Sequence, residues 1–167
     1  TELARCEIAL YGAQVLSFIP RGDGRDLLWC SASRLVPGRP VRGGVPVCWP
    51  WFAKQDRPPE AIQHGFVRRM RWRVVTCAER PDGRVRVLMQ VAAPPEGWPG
   101  GLGWPADCAP ELEVLVGDAL ELSLRTVNRS DGPVTLTQAL HTYFRVGDVR
   151  RIGIAGLQGL RYLDKLR

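Results

Sequence analysis

The sequence predicts an all-β fold, a sandwich or a barrel, on three observations. Apolar residues alternate with polar ones at period two in several short runs. No segment of helical length repeats its apolar residues at 3.6. Turn-forming residues recur throughout, with 18 Gly and 14 Pro in 167 residues, which is the punctuation of many short strands.

Taken in order, residues 13–19 form the first apolar run read as a strand, and residues 26–30 the second. Residues 55–63, rich in Pro and charge, read as a loop. Residues 72–78 are again strand-like and end at the turn signal Pro81-Asp82-Gly83. Residues 84–91 give the clearest alternation: Val85, Val87, Met89 and Val91 fall on one face, Arg84, Arg86 and Gln90 on the other. Residues 93–110 hold Pro94-Pro95, Trp98-Pro99-Gly100-Gly101 and Trp104-Pro105 and read as a second loop. Leu112, Val114 and Val116 then alternate with Glu111 and Glu113, and Leu120, Leu122 and Leu124 with Glu121, Ser123 and Arg125. Gly117-Asp118 between these runs predicts a tight type II′ hairpin turn. Ser130-Asp131-Gly132-Pro133 predicts another turn, and residues 134–140 a last strand.

Length and composition fit one domain over residues 1–167, with 45% hydrophobic residues to fill a core. No apolar run reaches the roughly 20 residues of a membrane-spanning helix, and none at the start suits a signal peptide. Net charge is +6 and almost wholly arginine, since Lys54 and Lys165 are the two lysines among 23 basic residues. The arginines are spread along the chain, with one short run at Arg68, Arg69, Arg71 and Arg73. That spread argues against nucleic-acid binding, which needs a basic face interleaved with aromatics. The cysteines Cys6, Cys30, Cys48, Cys77 and Cys108 are odd in number and far apart. None forms a C-x-x-C pair or a zinc-ligand spacing with histidine, so no metal site is expected. Buried free thiols in a reducing, cytoplasmic compartment account for them.

Three segments carry the chemistry. The chain has two histidines, each in a dense motif: His64 in Gln63-His64-Gly65-Phe66-Val67-Arg68 and His141 in Ala139-Leu140-His141-Thr142-Tyr143-Phe144. Histidine changes charge near neutral pH, so a rare pair in such settings points to proton transfer, although either ring could be satisfied within a core. Pro40-Val41-Arg42-Gly43-Gly44-Val45-Pro46 sets an arginine on a backbone too rich in Gly and Pro for a helix. Arg42 there either contacts a bound anion or faces solvent at a turn. The aromatic run Val47-Cys48-Trp49-Pro50-Trp51-Phe52 is either core filling or a platform for a pyranose face.

Together these segments resemble the hexose-6-phosphate mutarotases (glucose-6-phosphate 1-epimerases) of the aldose 1-epimerase superfamily. The resemblance is carried by Gly12-Ala13-Gln14-Val15-Leu16-Ser17-Phe18, Leu28-Trp29, residues 40–52, Gln63-His64-Gly65-Phe66-Val67-Arg68, Thr137-Gln138-Ala139-Leu140-His141-Thr142-Tyr143-Phe144, and Gly156-Leu157 through Tyr162-Leu163-Asp164-Lys165. It implies a galactose-mutarotase-like β-supersandwich with an open sugar cleft on one sheet, and no metal or organic cofactor. It implies interconversion of the α and β anomers of a hexose 6-phosphate by general acid/base ring opening and closure. Carried over by motif, His141 matches the catalytic histidine. Arg42 and Arg68 would bind the substrate and its phosphate, Gln63 would hydrogen-bond it, and His64 would line the cleft.

The chain departs from the family in one respect. Family members run well beyond this length, and their catalytic glutamate and a substrate-binding aspartate lie in the C-terminal part. No glutamate of this chain sits in a matching motif. The expectation is a β-sandwich domain incomplete at both ends, a monomer acting on a small hexose phosphate, with unpaired sheet edges and an uncovered apolar face. The alternative is a sugar-phosphate-binding or regulatory module without turnover.

Overall fold

The computed structural model describes residues 1–32, 40–54, 62–94, 97–98 and 103–161. Its strands are β1 (Ala4–Ala9), β2 (Gln14–Pro20), β3 (Val47–Cys48), β4 (Arg73–Glu79), β5 (Val85–Gln90), β6 (Cys108–Val116), β7 (Leu120–Asn128) and β8 (Ala139–Leu140), with single 3₁₀ turns at Val67–Arg69 and Val149–Arg151. The described residues contain no α-helix, as the missing 3.6 period predicts.

The strongest alternation builds the largest sheet. β4, β5, β6 and β7 form an antiparallel meander, and β5 pairs with β6 from Val85↔Val116 to Gln90↔Glu111. This register puts Val87, Met89, Val114, Leu112, Leu122 and Leu124 on one face and Arg86, Gln90, Glu113, Glu111, Ser123 and Arg125 on the other. The polar face is laced by charged pairs, Arg86 with Glu113 and Arg125 with Glu111. Hydrogen bonds from Arg125 and Gln90, with the charge of Arg125, hold the Glu111 carboxyl below its usual range.

The apolar face closes a core against β2 and residues 45–51. Met89, Leu112 and Val114 meet Val15, Phe18, Val45, Val47, Trp49, Phe66 and Trp72, all nearly inaccessible to solvent. Trp98, from the proline-rich loop, stacks on Phe66 with ring centroids 5.1 Å apart, and Trp104 meets Trp49 at 5.1 Å. The loop is therefore a source of core aromatics as well as a connection. Its predicted end overlaps β6, which begins at Cys108.

Several expectations need correction. β1 was not foreseen, though Ala4, Cys6 and Ile8 alternate with Arg5 and Glu7 and pair with β2. Residues 26–30 make only the isolated bridges Leu28↔Phe144 and Cys30↔Gly43. The Asp26 carboxylate accepts the N–H groups of Phe18 and Leu28, giving the backbone a local partner in place of a ladder. Of residues 134–140, only Ala139–Leu140 is strand. Gly117 lies outside the left-handed region, and the pairs ending at Val116↔Leu120 leave three loop residues, one more than a type II′ turn spans. The cysteines are not uniformly buried: Cys48 and Cys108 are, Cys6 and Cys30 are half-buried, and Cys77 is exposed. The loop expected at residues 55–63 is described only at Ile62 and Gln63, and residues 162–165 of the family motif lie outside the described residues.

Two local expectations are met. Pro81-Asp82-Gly83 closes the β4–β5 hairpin, with the Gly83 N–H on the Arg80 carbonyl at 2.9 Å. Apolar surface is uncovered along residues 144–160, where Phe144, Val149, Ile154 and Leu160 are each at least 67% exposed. No helix of the described residues is long and apolar enough to cross a membrane.

Gly65 is the tightest joint of the core. Its φ is +69°, and a Cβ there would stand 1.9 Å from the Trp49 carbonyl oxygen. Gly65→Ala is expected to cost roughly 4 kcal/mol or more in a urea or thermal unfolding comparison, the range of severe single-site disruptions. Gly153→Ala, which meets nothing within 4 Å, should stay within about 0.5 kcal/mol.

Candidate active site

The segment from Gly44 to Pro50 is the spine of the site. It cannot form a full ladder, because Pro46 and Pro50 carry no N–H. Their carbonyls still accept, from the His141 and Thr137 N–H groups at 3.0 and 3.1 Å. Between these bonds β3 and β8 pair as Val47↔Leu140 and Cys48↔Ala139. Beyond them the Tyr143 N–H reaches the Gly44 carbonyl at 2.8 Å. His141 is thereby set at a fixed height beside the glycine-rich segment.

The other edge of the spine holds His64. Gly65 bridges Trp49 in parallel, and the Phe66 N–H bonds the Trp49 carbonyl at 3.2 Å. His64 and Ala53 clasp each other. The His64 N–H donates to the Ala53 carbonyl at 2.9 Å, and the Ala53 N–H donates to His64 Nδ1 at 3.1 Å. Both residues have left-handed backbones, φ +64° and +65°, which non-glycine residues adopt at a cost of order 1–3 kcal/mol each.

Arg42 is placed by the glycines that follow it. A Cβ at Gly44 would lie 2.1 Å from the Val15 carbonyl oxygen, and Gly44 has φ +60°. Gly44 can therefore press onto β2, its successor Val45 donating to Val15 at 2.8 Å. The buried Gln14 amide, from the same strand, donates to the Gly43 and Val41 carbonyls at 2.5 and 3.2 Å. Between them they hold the Arg42 backbone, and its side chain remains exposed.

All five residues singled out from the sequence, Arg42, Gln63, His64, Arg68 and His141, line one cleft of about 310 Å³ together with Pro40, Val41, Pro46, Cys48, Arg69 and Tyr143. The two imidazole rings lie 5.7 Å apart and nearly perpendicular. His141 stacks on Tyr143 with centroids 4.9 Å apart and planes at 23°. Tyr143 in turn meets Trp29 at 6.0 Å. Phe52 covers both histidines, 5.0 Å from His64 and 5.8 Å from His141, and keeps 37% of its surface exposed. The aromatic run divides by surroundings. Trp49 and Trp51 fill the core, and Phe52 reaches the cleft.

The electrostatics of the cleft are one-sided. Arg68 donates through Nη2 to the Gln63 carbonyl at 2.7 Å, and its buried Nε–H has no partner among the described residues. Burial lowers the pKa of its guanidinium, which still stays charged at any working pH. Burial also lowers the pKa of His64, and the charges of Arg68 and His141 push it the same way. The Cys48 thiol is raised to about 11 by burial, with Arg68 opposing, so it stands as a protonated thiol and not as a nucleophile. No carboxylate among the described residues lines the cleft. Nor do three or more His, Cys, Asp or Glu side chains of the described residues gather as a metal site would require.

Sequence reasoning had not placed Tyr143, Cys48 or Arg69 at the site, and had left the run ending in Phe52 between core filling and a sugar platform. Tyr143 and Phe52 lay inside quoted motifs, so the alternation of aromatic and polar residues around each histidine was the usable signal. No pattern marked the thiol.

Comparison with known proteins matches this arrangement to one family. The family model for aldose 1-epimerase covers residues 1–167. The chain is 37% identical to a protein of Escherichia coli K12 that carries the provisional name glucose-6-phosphate 1-epimerase, over 97% of this chain and 52% of that protein. It is 31% identical to a similarly named protein of Cenchrus ciliaris, over 96% of this chain and 50% of the other. Among solved structures it resembles YeaD of Salmonella typhimurium, provisionally described as a mutarotase, with a TM-score of 0.75 and 32% identity over 87% of this chain and 46% of that one. The chain spans about half the length of the curated relatives it matches. The all-β architecture is that of the mutarotase-like sandwiches, and the chain belongs to the aldose 1-epimerase family.

Proposed function

We propose that the intact protein interconverts the α and β anomers of a hexose 6-phosphate by general acid/base catalysis. The observation that carries this reading is the convergence of His141, His64, Gln63, Arg42 and Arg68, from three separate stretches of sequence, onto one open cleft. The names of the relatives support the same chemistry.

Mutarotation requires proton transfer at two oxygens. A base takes the proton of the anomeric hydroxyl while an acid protonates the ring oxygen. The bond from the anomeric carbon to the ring oxygen then breaks, leaving an aldehyde. The carbonyl turns, and the ring closes on its other face with both protons returned. His141 as imidazolium is the acid, its ring stacked on Tyr143 in the lining of the cleft. The base is a carboxylate outside the described residues, a glutamate beyond residue 167 by the family resemblance.

Binding follows from the charge of the cleft. Arg68 offers a buried N–H with no partner among the described residues, which a phosphate or sugar oxygen would satisfy, and Arg42 and Arg69 add positive charge at the rim. Gln63 supplies an exposed amide, and the open face of Phe52 suits the C–H face of a pyranose. The substrate is a small molecule, and the protein works as a monomer in the cytoplasm, where its five thiols stay reduced.

Replacing His141 with Ala in the intact protein is expected to cut anomer exchange by about 10²–10⁴-fold with little change in affinity. Exchange spectroscopy on glucose 6-phosphate measures this directly, and wild-type turnover would remove His141 from the mechanism. Arg68→Ala is expected to weaken binding of the phosphorylated sugar by roughly 1.5–3 kcal/mol, the worth of a charge-assisted hydrogen bond, and to spare a neutral hexose. Arg42→Ala should act in the same direction. Equal losses for both sugars in calorimetric titrations would mean that these arginines do not read the phosphate.

A further inference from the structure

Thr137 spends both its main-chain donor and its side-chain oxygen on one short stretch of chain. Its N–H donates to the Pro50 carbonyl at 3.1 Å, and its Oγ1 accepts the Phe52 N–H at 3.1 Å. The register of β3 on β8 explains why a side chain is used there. Val47↔Leu140 and Cys48↔Ala139, continued by two residues, set Pro50 opposite Thr137. A regular antiparallel pair at such a position exchanges two main-chain bonds, but Pro50 has no N–H to return. The threonine hydroxyl supplies the missing half by taking the amide of Phe52, two residues further on.

The neighbour of Thr137 anchors it from the other side. Gln138 donates through Nε2 to the Leu124 carbonyl at 3.1 Å and accepts the Thr126 hydroxyl at 2.8 Å, and both partners belong to β7. Thr126 in turn accepts the indole N–H of Trp49 at 2.9 Å. Thr137 is thus fixed to the large sheet, while its hydroxyl reaches the member of the aromatic run whose ring keeps an open face. That ring lies 5.0 Å from His64 and 5.8 Å from His141. The Phe52 amide stands between two anchored residues, Pro50 and the left-handed Ala53 clasped to His64. Without the hydroxyl it has no acceptor, and the ring loses its fixed distance from the two imidazoles.

We infer that Thr137 is a positioning residue for the sugar: its hydroxyl fixes the Phe52 main chain and so the place of the ring beside both histidines. This rests on the hexose-phosphate reading of the cleft, in which the open face of Phe52 packs on the pyranose. The arginines are held by other means, the Arg42 backbone by Gln14 and the Arg68 side chain by the Gln63 carbonyl. Thr137 therefore bears on the sugar ring and not on the phosphate. Oγ1 is the atom that matters. Serine can replace threonine here, and valine, close to threonine in shape, cannot.

Thr137→Val, Thr137→Ser and a control, Thr135→Val, made in the intact protein, test this by two routes. The first needs no activity. Ring currents from Phe52 act on the carbon-bound protons of both imidazoles, so their resonances at one fixed pH report where the ring lies. Thr137→Val is expected to shift these resonances, Thr137→Ser to restore them, and Thr135→Val to leave them at wild-type values. The second route is kinetic. Loss of one neutral hydrogen bond predicts a roughly threefold to tenfold rise in KM for glucose 6-phosphate with Thr137→Val. Little change in kcat and an unchanged inhibition constant for inorganic phosphate should accompany it. Thr137→Ser should recover most of that KM. Thr137→Ala removes the same oxygen without the valine methyls and keeps the comparison open should valine misfold. Unmoved imidazole resonances in the valine and alanine variants would overturn the inference, as would a serine variant no better than valine. An equal loss of affinity for inorganic phosphate would also overturn it, making Thr137 a general support of the cleft. If the unmodified protein shows no anomer exchange, the hexose-phosphate reading fails by itself, and the resonances still decide whether Thr137 sets Phe52.

Discussion

The site depends on one contact, the backbone of Gly65 laid against the carbonyl of Trp49. Trp49 is fully buried, with its ring packed among Phe66, Trp98 and Trp104 and its indole N–H on Thr126 of β7 at 2.9 Å. Its side chain thus belongs to the core, while its carbonyl faces the loop that carries His64. The same short segment accepts the His141 N–H through Pro46. Two histidines 77 residues apart in sequence are positioned from opposite edges of one stretch of chain. Displacing Trp49 would move both, so core packing and site geometry cannot vary separately here.

The prolines explain why this stretch makes a cleft rather than another sheet. Pro46 and Pro50 each accept an N–H from the β8 side but cannot return one, so the two-way β3–β8 pairing between them is confined to two residues. Once the ladder stops, side chains no longer have to alternate across a pleated surface. Cys48, His141 and Tyr143 can then line one space, with Arg42 held by the Gln14 bonds to the backbone on either side of it. The cost appears as left-handed Ala53 and His64 and as a partly buried Arg68 whose Nε has no partner among the described residues. Each is a local expense at the cleft, set against the packing of the Trp49 cluster.

Much of this was legible in the sequence, but unevenly. The four-stranded sheet could be read because one face of β5, β6 and β7 is buried and the other wet, which forces a period of two. β4 was legible from its β-branched residues. Residues 26–30 misled because their apolar pattern is that of a strand while Asp26 satisfies the backbone from its side chain. The Gly117 turn misled because glycine–aspartate suits two loop lengths, and the register, set by the sheet, chose the longer one. The five site residues were found through the family resemblance. Their composition alone left each with a structural alternative, and the structure now gives them a common cleft.

What no sequence pattern disclosed is the difference between the two histidines. Both sit beside glycine, aromatic and arginine residues, and by composition either could be the acid. Their distinction lies in backbone atoms. The Ala53 amide claims one nitrogen of His64, whereas His141 has its own amide on Pro46 and its ring free to stack on Tyr143. A backbone donor is present at every residue except proline, so its role depends on where the chain has been bent to place it. Here the bend is the left-handed pair at Ala53 and His64, supported by a glycine whose missing Cβ lets the loop reach Trp49. The surroundings of the two rings are thus set by main-chain geometry that the core dictates.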